Sequence, residues 1–160
     1  MAPVCLSWHL YRNLENGTDT LPFALVQPNL DPYTEKFIPA KQAQHLDRFF
    51  DTADHLCDEN TRILIGPETQ IVEQIDERAP WTSPPYRRLR AFQRQFPNLS
   101  ILLGGHSFAR LNPGATVPGS RYNAEKDIYY EAFNSALFLP REQEAGFYHK
   151  SKLVPLFERM

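Results

Sequence analysis

The stretch "SPPYRRLRAFQRQFPNLSILLGGHSF", Ser83 to Phe108, sets a helix directly before a strand. Ser83 is an N-cap residue, and Pro84 suits the first helical position, where a missing N–H costs nothing. Tyr86, Leu89, Phe92 and Phe96 then recur at helical spacing and mark one apolar face. Past Pro97 the period changes. "LSILLGGHSF" (Leu99–Phe108) is a near-continuously apolar run of strand length that runs into a double glycine.

The same alternation continues outward. Toward the N-terminus, "RILIG" (Arg62–Gly66) is a short buried strand closed by Gly66-Pro67. Residues 40–58 place Leu46, Phe49, Phe50, Ala53, Leu56 and Cys57 on one helical face, and "PFALVQPN" (Pro22–Asn29) is another buried strand. Toward the C-terminus, residues 112–127 form a long loop. Beyond it, "IYYEAFNSALFLP" and "GFYHKSKLVP" are two strands joined by the polar "REQEA". The order β-α-β-α-β-β-β predicts an α/β domain, a layered sheet with helices on one face. Residues 1–21 are a lead-in whose polar "YRNLENGTDTL" carries an Asn-Gly turn signal. The domain proper occupies 22–160.

Composition narrows the function classes. A chain of 160 residues that is 42% hydrophobic is long enough for one real core. Its net charge of −2, with scattered lysines and arginines, gives no electrostatic case for nucleic acid. Fourteen prolines are too many for a helical bundle and too dispersed for a disordered linker. Cys5 and Cys57 lack metal-site spacing, and Cys57 lies on the apolar face of its helix, where it reads as core. No run of eighteen apolar residues occurs, and "MAPVCLSWHLY" lacks the basic start of a signal peptide.

Reactive side chains stand at the ends of apolar runs, where α/β folds gather their chemistry. Glu68 follows "LIGP" directly. There it is either a general base with a pKa raised by burial, or the N-terminal cap of a helix begun by "TQIVEQI". Lys150, within "FYHKSKL", either snorkels at a sheet edge or points into a site as a fixed cation. Glu158, in "PLFE", reads alone as a surface residue. His106 and His149 have no second ligand at metal-site spacing, so a structural role is the simpler reading of both, and no metal or cofactor is expected.

In order and at compatible distances, "ALVQPNLDP", "ILIGPET", "LLGGHSF", "AFNSALFL" and "YHKSKLVPLFE" resemble the nitrilase (carbon–nitrogen hydrolase) superfamily. Within it, "VQPN", "PET", "FNSALFL" and "YHKSKLVPLFE" are most similar to the apolipoprotein N-acyltransferases. The resemblance covers residues 22–160 and implies half of a nitrilase-like α-β-β-α sandwich. Glu68 and Lys150 fall on the family's catalytic Glu and Lys, and Glu158 on an additional essential glutamate. The glycine that precedes that glutamate in the family is replaced, since this sequence reads "LFE".

The family's nucleophilic Cys lies well past the Lys motif, and neither Cys5 nor Cys57 matches it, so the resemblance implies that the nucleophile lies outside this chain. It further implies acyl transfer from a membrane phospholipid, through a cysteine thioester, to the N-terminal amine of an apolipoprotein. The domain would face the periplasm from the inner membrane, anchored by segments outside these residues, with "CLSWHLY" as the trailing end of a span. Two alternatives stay open: a truncated soluble nitrilase-type amidase, and a non-catalytic α/β binding module. A partial domain is expected to turn over no substrate and to expose apolar surface, favouring self-association.

Overall fold

The computed structural model describes residues 2–13, 20–29, 41–112, 115 and 117–151. Helix α1 spans Ala2–Arg12 and lies in the expected lead-in. Strand β1 (Phe23–Leu25) is followed by helix α2 (Gln42–Leu56), strand β2 (Ile63–Ile65) and strand β3 (Ile71–Asp76). A 3-10 turn at Pro80–Thr82 leads into helix α3 (Pro84–Gln93). Strands β4 (Ser100–Arg110), β5 (Arg121–Asn123), β6 (Ile128–Leu139) and β7 (Gly146–His149) complete the chain's described part.

These strands form one mixed seven-stranded sheet with the path β1-β2-β4-β6-β5. Strands β1, β2 and β4 run parallel, as strands joined through helices must, whereas β4, β6 and their hairpin partners run antiparallel. Two strands share each flank of the long central pair. β2 and β3 both pair with β4, at Ser100–Leu102 and again from Gly105 to Phe108. β5 and β7 both pair with β6, at Ile128–Tyr130 and Ser135–Phe138.

Strand alternation sorts the side chains. Ala24, Leu64, Ile101, Leu103, Leu137 and Leu139 point to one face, where they are buried with Phe49 and Ala53 of α2 and with Leu89 and Phe92 of α3. The polar contacts between helices and sheet are specific. Gln42 at the start of α2 donates to the Gln70 carbonyl at 3.2 Å and accepts the Val72 N–H at 2.6 Å, completing the edge of β3. Gln93 at the end of α3 donates to the carbonyls of Leu99 and Leu139, at 2.9 and 2.8 Å. The opposite face carries Phe23, Leu25, Phe138 and Tyr148, all exposed.

Four expectations need correction. "TQIVEQI" is a strand, not a helix: Ile71 and Ile75 are buried at sheet register against β4, and that pairing outweighs the local helical pattern. Residues 112–127 are not all loop, because Arg121–Asn123 pairs with β6. The hairpin closes through Asp127 at φ 51°, with Tyr122 Oη donating to Asp127 at 2.8 Å. Cys57 lies just beyond α2 as its C-cap, half-buried against the core edge, and Leu56 is exposed, so the inner face ends at Ala53. Ser83 occupies the N-cap position of α3, but its hydroxyl makes no cap bond. Among the described residues no helix is long and apolar enough to cross a membrane.

Candidate active site

Between β2 and β3 the chain leaves the sheet for Gly66–Gln70 and returns to the same neighbour. Gly66 N–H donates to Leu102 O at 2.8 Å, Gly104 N–H to Pro67 O at 2.9 Å and Gln70 N–H to Gly104 O at 2.9 Å. The excursion passes directly over residue 104. A Cβ there would stand 1.6 Å from the Glu68 carbonyl oxygen, so only glycine admits the path. The result is a carboxylate lifted onto the sheet face away from the helices.

Lys150 reaches the same place from the other side. It follows β7, and its N–H donates to Asn134 O at 2.8 Å, continuing the pairing with β6. In register, Gly104 lies opposite Ala136, and Ala136 opposite Tyr148. Asn134 and Lys150, two positions further along their strands, therefore share the open face. There Lys150 Nζ donates to Glu68 Oε1 at 2.8 Å, and Asn134 Nδ2 donates to the same oxygen at 3.1 Å. Residues 82 positions apart thus form one ion pair, with side-chain exposures of 29% for Lys150 and 62% for Glu68.

One of the two sequence readings of Glu68 makes it a buried base, and the structure overturns that burial. Its carboxylate is exposed and is held by two donors rather than desolvated. Its alternative role as a helix cap fails as well, because no helix begins there. The pair borders a cleft of about 380 Å³ with an apolar floor that includes Ile65, Leu102, Ala136 and Tyr148. That combination, a few convergent polar groups over apolar lining, is the usual composition of a small-molecule site.

The remaining candidates lie elsewhere. Cys57 packs against the core on the helix side, and burial first, then the Asp58 and Asp54 charges, pushes its thiol up to about 11. That is the opposite of an activated nucleophile. Cys5 is exposed on α1. His106 Nδ1 donates to Val72 O at 3.1 Å, and His149 Nε2 to Glu77 at 2.7 Å. Among the described residues no group of three or more His, Cys, Asp or Glu could hold a metal. Glu158 lies outside the described residues. Asn134 and Gly104 stood inside the quoted "AFNSALFL" and "LLGGHSF". The signals were a lone amide in an apolar strand and a glycine where a strand should keep a side chain.

No family model matches the chain. It is 28% identical over 162 residues to the apolipoprotein N-acyltransferase of Chlorobaculum tepidum, an alignment that takes in 99% of this chain. The chain spans 29% of the length of that relative. The likeness therefore runs the length of this chain and through less than a third of an acyltransferase.

Proposed function

We propose that this chain is part of the catalytic domain of an apolipoprotein N-acyltransferase, with Glu68 and Lys150 as two members of its catalytic group. The observation that carries the reading is the Lys150–Glu68 pair at 2.8 Å over an apolar cleft. The N-acyltransferase relative, similar over nearly the whole chain, points the same way. On this reading residues 22–160 are a partial nitrilase-like domain whose exposed sheet face belongs to an α-β-β-α sandwich. The parent sits in the inner membrane with this domain toward the periplasm.

The chemistry follows from what each group can do. A thiol is mostly protonated at neutral pH, so a cysteine from outside these residues needs a base beside it. Glu68 takes the thiol proton. The thiolate attacks the ester carbonyl of a phospholipid, and the negative charge that develops on the carbonyl oxygen is stabilised by the Lys150 ammonium. Collapse forms the thioester and expels the lysophospholipid alkoxide, which takes the proton from Glu68. The amine of a diacylglyceryl-cysteine then attacks the thioester, passes a proton to Glu68 and leaves as the amide, and the thiolate recovers that proton. Asn134 holds the carboxylate in line throughout. The additional glutamate role suggested for Glu158 belongs to the same proposal.

The test uses a phospholipid with a labelled acyl chain and a diacylated lipopeptide. Within its complete reading frame the protein moves label to the peptide amine, and E68Q and K150A abolish transfer. The 160-residue chain alone forms no acyl adduct on Cys5 or Cys57. Hydrolysis of a simple amide without acyl transfer would favour the amidase instead, and wild-type transfer by both variants would remove the catalytic assignment.

A further inference from the structure

We infer that His149 is a positioning residue for Lys150: clamped between Glu77 and Phe133, it fixes the strand end that turns the ammonium toward Glu68. The inference rests on the reading of Lys150 given above. β7 is four residues long and pairs with β6 alone among the described strands, so beyond the Lys150 N–H bond to Asn134 O its end is held on one side only. Successive strand residues point to opposite faces. Whatever immobilises His149 on the helix side therefore sets where Lys150 departs on the open side.

His149 is immobilised in two ways. Its ring stacks on Phe133, with centroids 3.7 Å apart and planes 5° from parallel. Its Nε2 donates to Glu77 Oε1 at 2.7 Å. Glu77 is itself anchored, its N–H donating to Phe108 O at 3.0 Å and its Oε1 accepting from Ser107 Oγ at 2.5 Å. Because the one hydroxyl hydrogen of Ser107 goes to Glu77, Ser135 must donate to Ser107, at 2.6 Å. Ser135 is the register partner of His149 on β6, so the network closes on the strand pair where it began. Ser107 and Ser135 are buried, where hydroxyls are costly unless satisfied, and their bonds run toward the residue beside Lys150. If the only task were to pack on Phe133, an apolar side chain at 149 would serve.

Acetylation of Lys150 by a water-soluble N-hydroxysuccinimide ester, followed by peptide mass spectrometry with exposed Lys126 as internal reference, tests this without any turnover. The variants H149L, which keeps bulk and loses the donor, and E77A, which removes the acceptor, are expected to acetylate Lys150 about fivefold faster, the scale of loosening one partly exposed ion pair. H149Q, whose amide nitrogen replaces Nε2, should stay within about twofold of wild type, because the hydrogen bond survives. H149L at the wild-type rate, or H149Q as reactive as H149L, would overturn the inference. Should H149L fail to fold, E77A carries the same expectation, and a wild-type rate there overturns it equally. In the complete protein, faster acetylation with unchanged acyl transfer would leave the positioning intact and sink the catalytic role of Lys150 alone.

Discussion

A methyl group at residue 104 would sit 1.6 Å from the Glu68 carbonyl oxygen, and the obstacle is backbone rather than a side-chain tip that could swing away. Gly104→Ala must therefore displace the Gly66–Gln70 excursion and carry Glu68 with it. Misplacement by about 1 Å at a catalytic group can cost about a hundredfold, so if Glu68 acts as proposed above, acyl transfer by the complete protein should fall by at least that much. Gly105→Ala is the contrast, since its Cβ would meet Ile71 Cβ at 2.9 Å and disturb core packing rather than the site. Equal losses of transfer from the two variants, at equal stability, would show that the path over Gly104 has no special role. Cys57 yields a second expectation at this scale. Its thiol is raised from 9.0 to about 11, chiefly by burial, so the folded state retains a proton that the unfolded chain has released between those values. Its stabilising contribution is complete below pH 9 and lost as pH rises toward 11. Urea midpoints measured from pH 8 to 11 should decline less steeply in Cys57→Ala than in wild type. Identical slopes would refute this.

At the scale of elements, the side-chain amide of Gln93 joins α3 to the start of β4 and the end of β6. The residue is buried, so Gln93→Leu strands two carbonyls that water cannot reach. Each such group costs about 1–3 kcal/mol, and with partial relaxation a loss of about 2–4 kcal/mol in urea unfolding is expected. A change below about 0.5 kcal/mol would place those carbonyls in contact with solvent. The same amide shows what the sequence did and did not disclose. The α3 helix and the β4 strand were legible because their periods differ and proline separates them. The "IVEQID" strand was misread, because six residues fit both patterns and the deciding contact, Ile71 opposite Gly105, is 34 positions away. β5 was invisible for a similar reason: three polar and aromatic residues become a strand only when β6 is there to pair with. Glu68 and Lys150 drew notice because apolar runs end beside them, but their pairing across 82 positions was visible only in the fold. Asn134 was passed over, since one amide in a strand has meaning only beside the carboxylate it serves.

For the molecule as a whole, the two faces of the sheet differ sharply. One is sealed by α2 and α3. The other leaves Tyr148 71%, Phe23 61% and Leu25 58% exposed, together with Phe138. Contiguous apolar surface of this kind favours association in water, because covering it releases ordered solvent whatever the partner. In a solution of this chain alone, the partner at hand is a second copy. The chain should therefore show a mass that rises with concentration in sedimentation or light scattering. Replacing Leu25 and Phe138 with threonine should shift it toward the monomer. Stability should change little at Leu25, which is 58% exposed, and somewhat more at Phe138, which is 40% exposed, while threonine suits a strand at both. Binding at this face would also cover the cleft beside Lys150, so association should slow Lys150 acetylation as concentration increases. A single monomeric species across the accessible concentrations, with acetylation independent of concentration, would show that this face stays uncovered on its own.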